Sequence, residues 1–349
     1  MKVKLYIYHW LFFPLLALML AGSAASCIND PVMEEDTSGK STLSITVRGV
    51  TTDPADGYDE YIQTLRIIGF DASGNVVCNQ LFDYVPNNNV PDFIIIQGEG
   101  ADAKINITQT LEEAFQGGTC DFYFIANEQG YAVYNTQSDS QSLSDFLGNN
   151  VSLGGLEDCI IAYTGDEPGE TNQRPILMTT SVRTTLRPGD NTINNIKLVR
   201  CFAKIQLKIV DETGEAYIGD ENKLTGTYPD SYSLWNGGTY IDWNEGAYSV
   251  SLTLTEPEDN AISYTSQEIY FPERLFDQDS NTEDNALKFS FTLNGTSYTA
   301  AVADAAGTDF NIRRNTHYTV IATLKKKNEV TLTVLINKWD EKTMDVEFN

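Results

Sequence analysis

Residues Ser41–Arg48 read S-T-L-S-I-T-V-R. In an extended chain Leu43, Ile45 and Val47 fall on one side and Ser44 and Thr46 on the other, the period of two that marks a strand with one buried face. The stretch closes on a lone arginine followed by Gly49, and the next residues, G-V-T-T-D-P-A-D-G-Y-D-E, show no periodicity. A strand tied to the rest of the chain by a loop, with a trypsin-like cut site at its end, can be removed. Its loss would leave a vacancy in the sheet it belonged to.

What precedes this strand is a targeting segment. Lys2 and Lys4 form a basic start, and Trp10–Gly22 is an apolar run too short for a comfortable membrane span. Small residues then lead directly into Cys27 as A-A-S-C, the pattern of a bacterial lipoprotein signal in which the cysteine becomes acylated. Residues 1–26 are accordingly expected to be a signal peptide, and Cys27 the lipidation site. Residues 27–40 are polar and acidic and suit a flexible tether. Ordinary signal cleavage, with Cys27 as one more thiol, is the alternative.

Composition narrows the function classes. At 349 residues the chain is long for one average domain, which makes two the starting expectation. Its formal charge is −26, a surface that repels nucleic acid and suits an exported protein. Without Cys27, four thiols remain, Cys78, Cys120, Cys159 and Cys201; they are widely spaced and lie mostly within apolar runs. That placement favours buried free cysteines over disulfides. Beyond the signal His317 is the single histidine, which argues against a zinc site. G-x-S-x-G, H-E-x-x-H and glycine-rich phosphate loops are missing. No enzyme, metal or cofactor is expected. Asp277, Asp279 and Asn281 start like a calcium loop, but Thr282 stands in place of the glycine and Lys288 in place of the closing glutamate.

The remaining chain predicts an all-β protein. Tyr61–Asp71 and Val76–Phe82 flank A-S-G-N and read as a hairpin. Cys120–Asn127 is aromatic and β-branched enough for a central strand. Ser140–Leu147 reads as a short helix capped by Ser140 or Ser142, and Leu111–Phe115 as one helical turn. Strands follow at Ile176–Val182 and Thr192–Val199, the latter launched by R-P-G-D-N. In Cys201–Val210 the apolar set Ala203, Ile205, Leu207 and Ile209 alternates with Phe202, Lys204, Gln206 and Lys208, opening a second all-β region. Asn294-Gly295 between two strand-like runs is the strongest hairpin signal in the chain. This spacing predicts two antiparallel β-sandwiches, residues 49–200 and 201–349. Near the end Val330, Leu332, Val334 and Ile336 alternate, N-K-W-D interrupts them, and Met344, Val346 and Phe348 alternate again. That last set matches Leu43, Ile45 and Val47 in number and period, so one groove could accept either strand.

The chain resembles the fimbrillins, subunits of the type V pili of anaerobic Gram-negative bacteria. The likeness covers nearly the whole sequence and rests on several short patterns. These are the signal at Cys27, T-L-R-I-I-G-F-D-A-S-G-N at Thr64–Asn75, F-Y-F-I-A-N at Phe122–Asn127 and I-L-M-T-T-S at Ile176–Ser181. To them are added K-L-V-R-C-F-A-K-I-Q-L-K-I at Lys197–Ile209, R-N-T-H-Y-T-V-I-A-T-L at Arg314–Leu324, and Trp339.

The resemblance implies two transthyretin-like domains, export as an outer-membrane lipoprotein acylated (palmitate) at Cys27, and removal of residues up to 48 by an Arg-specific protease cutting between Arg48 and Gly49. It further implies that the groove left by Leu43, Ile45 and Val47 is filled by a C-terminal strand carrying Met344, Val346 and Phe348 from a neighbouring copy or related subunit. The fimbrium so built would adhere to a host or bacterial surface ligand. Two other readings stay open: an uncut subunit that anchors the fimbrium, and a lipoprotein that binds glycan through Trp235, Tyr240 and Trp243.

Overall fold

The computed structural model describes residues 42–48, 62–83, 95–97, 104–112, 115–134, 141–149, 151–163, 175–214, 216–229, 231–235, 246–255, 263–326 and 329–338. Strand β1 (Thr42–Arg48) is followed by the hairpin β2 (Thr64–Asp71) and β3 (Val76–Asp83). The Asp71 carboxylate closes that hairpin, accepting the backbone N–H groups of Ser73 and Asn75, both at 2.8 Å, and the Asn75 side-chain amide at 2.9 Å. Those bonds, the Asn75 amide foremost, hold its pKa below the ordinary value. Next come β4 (Ile95–Gln97), β5 (Lys104–Thr110), β6 (Gly118–Ala126), β7 (Tyr131–Val133) and β8 (Gln141–Ser142).

Two short helices follow, α1 (Leu143–Gly148) and α2 (Leu153–Glu157). The first is capped by Ser142, whose Oγ accepts from Asp145 N–H, and the second by Ser152, which accepts from Gly155 N–H. The chain continues through β9 (Ile160–Tyr163), β10 (Met178–Leu186), β11 (Asp190–Lys197), β12 (Val199–Arg200) and β13 (Phe202–Asp211). Then come β14 (Lys223–Tyr228), β15 (Tyr232–Ser233), β16 (Gly246–Ser251), β17 (Leu254–Thr255), β18 (Ser263–Ser266) and β19 (Ile269–Pro272). The last described strands are β20 (Lys288–Leu293), β21 (Thr296–Ala301), β22 (Thr316–Lys326) and β23 (Glu329–Lys338). Asn294 and Gly295 join β20 to β21 with φ of 50° and 76°, the paired left-handed conformation of a tight hairpin.

These strands form five sheets: β11-β1-β5-β4, β12-β10-β6-β2-β3, β15-β9-β7-β8, β16-β14-β20-β21, and β17-β18-β13-β22-β23 with β19 also on β13. The fold is all-β and mainly antiparallel, as the spacing of strands and turns predicts. Among the described strands two pairs nevertheless run parallel, β1 with β11 and β13 with β22. In each the partners are far apart in sequence, and a long crossover makes a parallel neighbour possible.

Three main cores hold the sheets together. The first joins Leu43, Ile45, Ile193 and Ile196 to Leu65, Ile67, Phe122 and Phe124 of the β2–β6 sheet. On the opposite face of that sheet, Ile68, Phe70, Tyr123 and Ile125 meet the two helices, β9, Phe202 and Tyr232. Because both its faces are covered, the whole of Thr64–Phe70 is buried. Gly69 lies within it because a Cβ there would come 2.6 Å from the Phe122 ring. The third core fills the space between the β13–β22 and β14–β20 sheets, with Ile205, Leu207, Ile209 and Val320 facing Leu224, Phe289 and Phe291. Phe202, which opposes Ala203 in β13, is itself buried in the second core. Within the predicted helical turn at Leu111–Phe115, Phe115 N–H donates to Glu112 O at 2.9 Å.

Candidate functional site

Strand β1 is built into the middle of its sheet. One edge pairs antiparallel with β5, from Thr42 opposite Thr110 to Arg48 opposite Lys104. The other runs parallel to β11, from Thr42 beside Asp190 to Arg48 beside Lys197, with an irregularity between Ile45 and Val47. The strand thus satisfies hydrogen-bonding groups on two neighbours that are otherwise not paired to each other. Leu43 and Ile45 are 0% and 1% exposed and pack in the first core, whereas Ser44 is exposed.

The beginning of β1 is held by side chains as well. Thr42 Oγ1 donates to an Asp190 carboxylate oxygen, and Thr42 N–H donates to Gly189 O at 3.2 Å. The turn that presents those acceptors is fixed by Asn191. Its Oδ1 accepts from Arg187 N–H at 2.9 Å, and its Nδ2 donates to Arg187 O at 2.8 Å and Gly189 O at 2.9 Å. Gly189 has φ of +92°, a conformation that favours glycine at this corner. The R-P-G-D-N stretch therefore both launches β11 and anchors Thr42.

Of the residues singled out from sequence, Leu43 and Ile45 are together in the groove, and Val47 and Arg48 continue the same strand. Cys27, Gly49, Met344, Val346, Phe348, Tyr240 and Trp243 lie outside the described residues. Trp235 is half-buried; its Nε1–H donates to Leu156 O at 2.6 Å, and its ring meets Tyr123 edge-on at 5.1 Å. Tyr123 in turn donates to Glu157 Oε1 at 2.7 Å. Asp277 Oδ1 accepts from Ser280 N–H at 2.6 Å, the work of a turn carboxylate. The four cysteines are free and buried, and burial pushes the Cys78 and Cys159 thiols up to about 12. Among the described residues no group of His, Cys, Asp and Glu is placed to hold a metal ion.

Sequence reasoning missed a polar cluster where β13 begins. Arg314 Nε donates to Glu273 Oε2 at 2.9 Å, and its terminal nitrogens donate to Leu234 O at 3.1 Å and Ser233 O at 2.7 Å. Arg200 Nη1 reaches Asn315 Oδ1 at 3.1 Å. A second buried pair joins Arg66 to Glu128 in two bonds of 2.8 and 2.7 Å, with Ser144 Oγ donating to the same carboxylate at 2.6 Å. For Arg66 and Arg200 the signal was an arginine inside an apolar run, which buries only when a carboxylate or carbonyls satisfy it, whereas Arg314 sits in the polar stretch N-I-R-R-N-T-H and carried no such signal.

The fold and groove together define an all-β protein of stacked sheets with an N-terminal strand inserted at the centre of one of them. That fold is shared with a fimbrial assembly protein from Parabacteroides distasonis ATCC 8503, at a TM-score of 0.50 and 14% identity over 85% of this chain and 99% of that one. Looser likeness is found to a protein provisionally assigned to cell adhesion from Bacteroides eggerthii DSM 20697, with a TM-score of 0.48, 15% identity and coverage of 86% and 96%. The fimbrial anchor protein Mfa2 from Porphyromonas gingivalis gives a TM-score of 0.39, 11% identity and coverage of 85% and 98%. No family model matches the sequence, and no curated protein does.

Proposed function

We propose that this protein is a structural subunit of a surface fimbrium with a role in adhesion, assembled by exchange of β1 for a strand of a neighbouring subunit. One observation carries the reading: β1 is central in its sheet, buries Leu43 and Ile45, and ends at an arginine. An element so placed leaves two unpaired edges and an apolar slot when it departs, a state that proteins fill rather than tolerate. Each large aliphatic side chain that enters the slot contributes ~1.5–3 kcal/mol. Head-to-tail filling of this kind does not close on itself, and so it grows fibres.

In this reading the precursor is exported as a lipoprotein through Cys27, and an Arg-specific protease cuts between Arg48 and Gly49. A strand carrying Met344, Val346 and Phe348 of another copy or a related subunit then enters the groove. Residues 49–200 and 201–349 are two domains with their boundary near Arg200, and the role is structural rather than catalytic. The fold shared with a fimbrial assembly protein supports this. An uncut lipoprotein serving as the fimbrial anchor is the second reading.

N-terminal sequencing of the surface-exposed form, together with its lipid content, tests it. A start at Gly49 without lipid is the expected result. A start at acylated Cys27 would overturn the stalk role and leave the anchor.

A further inference from the structure

Strand β23 is the outermost strand of its sheet and pairs only with β22 among the described residues. Leu332, Leu335 and Ile336 on it are 43%, 46% and 39% exposed. Leu332 and Ile336 share one face and Leu335 takes the other, so the edge offers apolar side chains on both sides of the sheet. Between Val330 and Ile336 there is no proline and no charged residue, so the middle of the strand lacks the usual protection against a strand partner, with Glu329 and Lys338 only at its ends. Exposed apolar side chains gathered on an unprotected edge mark an interaction surface.

The chain beyond β23 indicates the partner. Thr343–Asn349, T-M-D-V-E-F-N, repeats the pattern of Thr42–Arg48, T-L-S-I-T-V-R, with threonine first and apolar residues at the second, fourth and sixth places. Lys338, the end of β23, is five residues from Thr343, a distance the chain spans by no more than about 18 Å. If Thr343 takes the place of Thr42 beside Asp190 in another copy, that copy's body is drawn up against the donor's β23. The short tether keeps Leu335 and Ile336 near that copy's surface.

We propose that the exposed edge of β23 is a docking surface for a second copy of this chain, covered by the subunit that receives the donor's terminal strand. The proposal rests on the strand-exchange reading, and adds that insertion alone does not hold the filament together. Contact through Leu332, Leu335 and Ile336 is the second half of each junction.

The test uses the full-length protein cut at Arg48, with Leu335→Asp/Ile336→Asp as one variant and Ile336→Cys as the other. The charged variant should match the parent in circular dichroism, in cutting rate and in affinity for a synthetic peptide of residues 341–349. Its ladder of high-mass species on unheated gels should fall by roughly tenfold or more. In Ile336→Cys, maleimide should label the new thiol in the uncut monomer and about tenfold more slowly in the polymer, while Tyr217→Cys, a 67% exposed position on another part of the surface, reacts equally in both. A normal ladder from the charged variant, or an Ile336→Cys thiol equally reactive in the polymer, would overturn the proposal and leave strand exchange standing. Cut parent protein that forms no ladder and takes up no peptide would sink strand exchange itself, and the proposal with it.

Discussion

Two strands of this protein share a Thr-Leu pair and, counted from that threonine, apolar residues at the second, fourth and sixth places, and meet opposite fates. Thr42–Val47 reads T-L-S-I-T-V and Thr331–Ile336 reads T-L-T-V-L-I. In β1 the leucine is 0% exposed; in β23 its counterpart Leu332 is 43% exposed. The difference lies in the neighbours. Strand β1 has a partner on each side and the β2–β6 sheet beneath, whereas β23 has β22 on one side, and only Val330 and Val334 lean on the core. A pleated apolar pattern therefore selects a strand, but the sheet around it decides what that strand contributes.

The sharpest way to break this comparison is to truncate both strands alike. Leu43→Ala and Ile45→Ala should each cost about 2–5 kcal/mol, and together should consume most of the ~5–15 kcal/mol that stabilises a typical domain. Leu332→Ala and Ile336→Ala should each stay within about 0.5–1 kcal/mol. Urea midpoints of the uncut protein measure all four. Equal losses in the two strands would mean that β23 is as deeply integrated as β1.

The same rule is visible in two adjacent arginines. Arg314 is 2% exposed and paired with Glu273, while Arg313 is 57% exposed and paired with Asp309 at 3.0 Å. Arg314→Met leaves Glu273 buried without its cation and should cost ~3–5 kcal/mol. Arg313→Met should cost less than about 1 kcal/mol. Chemical denaturation of the two variants side by side gives the ratio, and a large loss in Arg313→Met would count against burial as its source.

Cys78 belongs to the core that β1 closes, and Cys159 to the core on the other face of the same sheet. Burial raises both thiols to about 12, against ~8.5 in an unfolded chain. A group whose pKa rises on folding stabilises fully below the unfolded value, and that contribution is lost as pH climbs toward the folded one. At about pH 10 each thiol should therefore have lost roughly 2 kcal/mol of its contribution. The double variant Cys78→Ala/Cys159→Ala should remove roughly 4 kcal/mol of the alkaline destabilisation, about 2 for each thiol, read as the difference in unfolding free energy between about pH 8 and pH 10. An unchanged slope would mean the thiols are not closed off from water.

Much of this architecture was legible from residue pattern. The A-S-G-N and Asn294-Gly295 hairpins, the central place of β6 and the Ser142 cap each follow from local chemistry and recur in the structure. The parallel partner of β1 was not legible, because Asp190–Lys197 lies some 148 positions away from Thr42 and period-two alternation says nothing about direction. The small β7–β9 sheet and α2 also escaped, since Tyr131–Val133 and Leu153–Glu157 are too short to show a period. In the site, Leu43 and Ile45 could be read from alternation alone. Asp190 could not, because its role depends on a turn folded against a strand from the other end of the domain.

The finest comparison is between the two threonines that open the matching strands. Thr42 gives its hydroxyl to the Asp190 carboxylate, whereas Thr331 is exposed on the outer strand. Valine keeps the shape and strand preference of threonine and removes only the hydroxyl. Thr42→Val should lose about 1 kcal/mol, a value typical of one hydrogen bond at a partly exposed site, and Thr331→Val should be unchanged within roughly 0.5 kcal/mol. Asp190→Asn combined with Thr42→Val should cost less than the sum of the two, as expected for residues sharing one bond. Full additivity in that cycle would show that the strand is held by its ladder and its two aliphatic side chains alone. The threonine that begins both the resident strand and the Thr343 stretch would then be a strand former and not a recognition element.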